Sequence, residues 1–221
     1  MAQHLEKEIE KLKSSLLQVG TLVEEAVRDS VRSFSEKDLG LAELIIENDE
    51  KIDQLEVEVE EDCLKILALH QPVAIDLRYI IAVLKINNDL ERIADLAVNI
   101  ASRTKFLAEK STITLPGSLF TIAEKVEYML KMSLDSLVKS DTKKAKSVLV
   151  ADDEVDDLHS KMYKIAREEI ESDQSKIDQW FNVIAISRYL ERAADHTTNI
   201  AEDVIYLVDG DITRHQQLDK L

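Results

Sequence analysis

The chain has 221 residues, with 44 acidic against 28 basic side chains and a formal net charge of −16. That surplus argues against nucleic acid as a partner, because phosphate binding needs clustered Lys and Arg. Only four Gly and two Pro interrupt an alphabet rich in Leu, Ile, Val, Ala, Glu, Asp and Lys, which excludes a sheet-rich fold and predicts an all-α chain of long helices. Cys63 is the single cysteine, so an internal disulfide is excluded. No charged-then-apolar signal opens the sequence and no apolar run approaches the roughly 20 residues of a membrane span. A cytoplasmic setting is expected, with membrane contact only through partners.

In chain order, the stripe Leu5, Ile9, Leu12, Leu16, Val19, Val23, Val27, Val31 predicts a first helix from His4 to Phe34. A second helix is expected over Leu39 to Leu69, ending at His70-Gln71-Pro72, where proline favours a break and a new first turn. The third helix is expected from Pro72 to Glu109. Ile113, Thr114, Leu115, Pro116 and Gly117 belong to a β-branched and Pro/Gly patch that predicts a linker over 111–117. Helices four to six are expected over Ser118–Lys139, Thr142–Glu171 and Lys176–Val208, with Gly210 closing the last. Residues 211–221 form a polar tail, expected to fray.

The chain repeats itself. Residues 90–101, LERIADLAVNIA, return at 190–201 as LERAADHTTNIA, with eight of twelve positions identical. Asp38, Asp49 and Asp53 also align with Asp141, Asp152 and Asp156, at an offset of 103 instead of 100. The first unit therefore holds three extra residues between its second and third helices, expected in the turn between Leu69 and Asp76. Two tandem three-helix bundles follow, over 1–110 and 118–210.

Glu91, Asp95 and Asn99 recur as Glu191, Asp195 and Asn199, and an i, i+4, i+8 spacing stacks them on one side of a helix. A helical wheel of the second helix places Leu41, Ile45, Ile52, Leu55, Val59, Cys63 and Ile66 in the core. It leaves Glu47, Glu50, Glu58 and Glu61 in water and sets Asp49, Asp53, Glu56 and Glu60 as a flanking stripe. In the third helix Asn88, Glu91, Asp95 and Asn99 flank a core of Ile80, Val83, Leu90, Ile93, Ala94, Ala97 and Ala101. Antiparallel neighbours would bring two oxygen rows together, and unpaired carboxylates so close call for cations. The second unit carries the related rows Asp152, Asp156, His159, Tyr163 and Glu191, Asp195, Asn199, Glu202.

Two sources of positive charge stay open at this point. Arg78, Lys85, Arg92, Arg103, Arg188 and Arg192 could make the rows interhelical ion pairs in a metal-free helical scaffold. An all-oxygen donor set equally suits hard divalent ions, iron or manganese, in clusters bridged by carboxylates. A carboxylate-bridged di-metal enzyme is a weaker alternative, since His159 supplies only half of the carboxylate-x-x-histidine pattern of di-iron bundles. There is no phosphate-binding glycine loop, nucleophile elbow or serine-histidine-acid spacing, so a catalyst of those kinds is not expected.

The stretch LHQPVAIDLR at 69–78, followed by LKINNDLERIADLAVNI at 84–100, resembles the signature of the PhoU family, and the resemblance covers nearly the whole chain. It implies paired three-helix bundles and multinuclear metal clusters held by Glu/Asp-x-x-x-Asp motifs, here Asp49 with Asp53, Glu91 with Asp95, Asp152 with Asp156, and Glu191 with Asp195. It also implies a non-enzymatic negative regulator of the phosphate-starvation response. The implied partners are a PstB-type ATPase subunit of the Pst phosphate transporter, a PhoR-type sensor histidine kinase, and a second copy of the chain. Ala94, where glycine is common, and the polar His196, Thr197 and Thr198 depart from the family pattern.

Overall fold

The structure is a computed structural model that describes residues 2–108 and 113–210. Six helices follow in order: α1 (Ala2–Glu36), α2 (Leu39–His70), α3 (Ala74–Ala108), α4 (Gly117–Lys139), α5 (Thr142–Ser172) and α6 (Ile177–Asp209). No strand occurs among the described residues. The expected end of the third helix at Glu109, the start of the linker and the polar tail lie outside them.

Local chemistry sets the ends. Asp38 and Asp141, equivalent in the two repeats, cap α2 and α5 by accepting backbone N–H groups of Leu41 and of Lys143 and Lys144. Gly210 ends α6 at φ 81, a left-handed conformation that glycine adopts without strain. The expected start of the third helix at Pro72 is corrected. Gln71 caps α2 with φ 47 and its N–H bonded to the Leu67 carbonyl, so the chain leaves the helical path and α3 begins only at Ala74, itself at φ 51. Residues 71–73 are the three extra residues of the first repeat, because only Asp173 separates α5 from the 3-10 turn Gln174–Lys176 that leads into α6. Leu69, Val73 and Ile75 project into solvent around this longer turn.

Helices α1, α2 and α3 pack on one another, α4, α5 and α6 do the same, and α3 lies against α6. One apolar core runs through both triplets, from Leu12, Leu16 and Val23 in α1 through Ile86 and Ile93 to Leu119, Met129 and Val204. Phe34 and Phe120 stack between α1 and α4, with ring centres 5.8 Å apart. The core stripe of α2 is as the wheel predicts, except that Leu55 is only partly covered. Trp180 is buried in the core and its neighbour Phe181 is exposed.

Polar pairs fix α3 antiparallel to α6. Lys85 Nζ lies 3.2 Å from the buried Asp203, Asp89 Oδ1 pairs with His196 Nδ1 at 2.8 Å, and Arg103 donates to Asn182 Oδ1 at 3.2 Å. Ala94 and Ala194 are both buried, seven residues along from Asn87 and Ser187 on the faces turned to α2 and α5. No described helix is long and apolar enough to cross a membrane.

Candidate functional site

Within the first triplet the flanks of α2 and α3 meet as a ladder. Asn87 sets its register, donating from Nδ2 to the Glu56 carbonyl oxygen at 2.9 Å and to Glu56 Oε1 at 3.2 Å. One helical turn away Asp53 and Glu91 interact, and a further turn away Asp49 and Asp95 do. Burial, then the charges of Asp53 and Asp95, push the Asp49 carboxyl up to about 6. Glu56 and Glu91 are raised as well, burial again leading, although the Arg92 guanidinium opposes the shift at both.

The second triplet repeats the ladder rung for rung between α5 and α6. His159 Nδ1 lies 2.8 Å from Ser187 Oγ, Asp156 interacts with Glu191, and Asp152 with Asp195. Burial, reinforced by Asp195, Asp156, Asp153 and Glu191, pushes Asp152 up to about 7. Glu191 and Asp195 are raised chiefly by burial and then by neighbouring carboxylates. Burial and the nearby Arg188 hold the His159 imidazole below its ordinary value. Tyr163 packs edge-on against that ring, 5.2 Å between centres.

The structure thus brings together Asp49, Asp53, Glu56, Glu91 and Asp95 on one seam and Asp152, Asp156, Glu191 and Asp195 on the other. Glu60 stands exposed at the open end of the first seam, near enough to Glu56 to raise it. The two asparagines are placed elsewhere. Asn99 turns back on its own helix, donating to the Asp95 carbonyl at 2.8 Å, and Asn199 donates across the α3–α6 contact to Asp89 at 3.2 Å. Sequence reasoning missed Asn87 and Ser187, one turn before Glu91 and Glu191. The signal was their i−4 position, which sets them on the same face as the acids.

The alternative of ion pairing is tested by asking which cations reach the rows. Among the described residues, Arg92 is the only Lys or Arg within 4.0 Å of a first-seam carboxylate, at 3.3 Å from Glu91 and 3.5 Å from Asp95. It is half exposed, where such a pair contributes little. None comes within that distance of Asp152, Asp156, Glu191 or Asp195 among the described residues. Asp152 Oδ1 is buried and accepts no hydrogen bond, and Glu91 Oε2, also buried, has Arg92 Nε at 3.3 Å. Carboxylate oxygens of raised basicity, aligned on facing helices, fit a hard divalent cation in chemical kind. No three His, Cys, Asp or Glu side chains among the described residues already surround a common point, so closure of either seam on an ion requires side-chain rotation.

Two three-helix units fused through α3 and α6, each with an acidic ladder, define a class of duplicated helical-bundle proteins. The PhoU domain family matches the chain twice, over residues 16–104 and 119–204. The phosphate-specific transport system accessory protein PhoU homolog of Clostridium acetobutylicum is 36% identical over 206 residues, 93% of this chain and 94% of that one. The Pseudomonas putida homolog is 38% identical over 226 residues, 100% of this chain and 87% of the relative. The crystal structure of PhoU from Pseudomonas aeruginosa superposes with a TM-score of 0.90 at 38% identity, covering 93% of this chain and 99% of the other. That of the phosphate transport system regulatory protein PhoU from Streptococcus pneumoniae gives 0.85 at 30% identity, covering 94% and 98%. The chain belongs to the PhoU family, and with it to the accessory proteins of phosphate transport.

Proposed function

We propose that this chain is a metal-binding regulator of phosphate uptake and signalling that represses the phosphate-starvation response when phosphate is plentiful. It would do so as an adaptor between the ATPase subunit of a phosphate transporter and a sensor histidine kinase, acting as a homodimer or larger homo-oligomer. The observation that supports the metal-binding part is the pair of acidic ladders, whose facing carboxylates raise one another, with Arg92 alone among the described Lys and Arg residues within 4.0 Å of them. Its curated relatives are named as accessory proteins of the phosphate-specific transport system, which supports the regulatory part and favours an adaptor over an enzyme.

Asp49, Asp53, Glu56, Glu91 and Asp95 would hold an ion in the first seam, and Asp152, Asp156, Glu191 and Asp195 one in the second. A bound divalent cation supplies positive charge that offsets the repulsion along each ladder. The carboxylates would then tie α2 to α3 and α5 to α6, in the register that Asn87 and Ser187 set. Ion content by mass spectrometry, with and without Glu91→Ala and Asp95→Ala, tests the site; unchanged content would refute these ligands. For the regulatory role, a strain lacking the gene is expected to express phosphate-starvation genes at high phosphate. Genes that stay silent there would count against repression.

A further inference from the structure

The ladders correspond rung by rung, with Asp49 and Asp95 matching Asp152 and Asp195, and Asp53 and Glu91 matching Asp156 and Glu191. The third rung alone changes chemistry. Glu56 and Asn87 form it in the first seam, whereas His159 and Ser187 occupy the same repeat positions in the second. An acid held by an amide has been exchanged for an imidazole held by a hydroxyl, with the cross-helix contact kept.

That contact fixes what the ring can offer. Ser187 is wholly buried, and its Oγ lies 2.8 Å from His159 Nδ1. In the tautomer where Nδ1 donates to Ser187, the Nε2 lone pair remains as an electron-pair donor, the usual arrangement of an imidazole oriented for a metal by a hydrogen bond behind it. Tyr163 lies against the ring at an interplanar angle of 70° and restricts its swing. His159 also lies one helical turn from Asp156, on the stripe that carries Asp152, and Asp152 Oδ1 is a buried oxygen lacking a hydrogen-bond partner.

We propose that His159 Nε2 is a nitrogen ligand to an ion held by Asp152, Asp156, Glu191 and Asp195. The second seam then selects borderline ions such as zinc, cobalt, nickel or ferrous iron, while the all-oxygen first seam takes hard ions such as magnesium or manganese. The inference rests on the ion-binding role of the seams proposed above. Imidazole favours the later divalent ions and carboxylate the hard ones, so one exchanged rung is enough to separate their preferences.

The test uses the full chain stripped of metal and titrated by calorimetry with Zn²⁺ and, separately, Mn²⁺. His159→Gln is expected to weaken the tighter Zn²⁺ class at least about tenfold while changing Mn²⁺ affinity less than about twofold. Glu56→His is expected to give the first seam a zinc preference. In protein labelled with ¹⁵N-histidine, the Nε2 resonance absent from His159→Gln is expected to move when Zn²⁺ is added to the wild type. If Zn²⁺ still binds in a manner lost with Asp152→Asn and Glu191→Gln, but neither His159→Gln nor that resonance responds, His159 is not a ligand and this inference alone falls. If no Zn²⁺ or Mn²⁺ binding depends on the acidic pairs of either seam, the ion-binding role falls and takes this inference with it.

Discussion

In the seam between α2 and α3 every rung is made of oxygen and amide groups, and Arg92 leans over two of its acids; in the seam between α5 and α6 an imidazole replaces one carboxylate and no described basic side chain comes so near. Asp152 and Asp49 differ for another reason, since burial leads at both and four neighbouring carboxylates add to it at Asp152 against two at Asp49. Asp152 is pushed up to about 7, whereas its repeat equivalent Asp49 reaches about 6. The repeat places the acidic pairs alike in both halves, and burial and the number of neighbouring carboxylates set how far each acid is pushed.

The strongest way to break the comparison is to neutralise each seam in turn. Asp152→Asn with Glu191→Gln should lower ion affinity of the second seam at least about a hundredfold and leave the first intact, with Asp49→Asn and Glu91→Gln doing the converse. Native mass spectrometry counts the ions retained. Loss of all ions from either double variant would show that the seams are one site.

Acidity sharpens the contrast next. In metal-free protein a carboxyl raised from 3.8 to about 7 disfavours folding while ionised in both states. That penalty is complete above pH 7, shrinks as the pH falls, and vanishes below about pH 4. Melting temperature should therefore rise from pH 8 towards pH 5. Asp152→Asn should add about 2–4 °C at pH 8 and nothing near pH 4, while Asp49→Asn should add less, its gain complete above about pH 6 and fading to nothing near pH 4. A variant less stable than wild type at pH 8 would mean that Asp152 is held by attraction.

The exchanged rung separates the seams by stability alone. Asn87→Ala removes two hydrogen bonds, one to a carboxylate, and should cost about 2 kcal/mol by chemical denaturation, against about 1 kcal/mol for Ser187→Ala. Equal costs would contradict a distinct third rung. The smallest effect belongs to Arg92→Gln, expected below about 1 kcal/mol at this exposed site, and Arg192→Gln should be smaller still.

Helix periodicity made much of this legible from residues alone. The stripe through Leu41, Ile45, Ile52 and Val59 predicted the buried face of α2, and the repeated acids predicted two facing rows, because both patterns are local and follow the 3.6-residue turn. What escaped was set by contacts distant in sequence. Asn199 shares the spacing of Asp195, yet the packing of α6 on α3 turns it to Asp89, and no property of residues 190–201 alone announces that neighbour. The delayed start of α3 depends on the left-handed Gln71, a non-glycine residue whose preference for that conformation is too weak to read from sequence.

The wall formed by α3 and α6 has a consequence for the gene as much as for the fold. Were the chain cut between its halves, each fragment would bare the inner stripe of one central helix, along with charges such as Asp89 and Asp203 that now sit in cover. Separately produced halves should precipitate or seek each other out, and mixing them should restore a single cooperative melting transition. The two copies share one core, in which each central helix covers the inner stripe of the other.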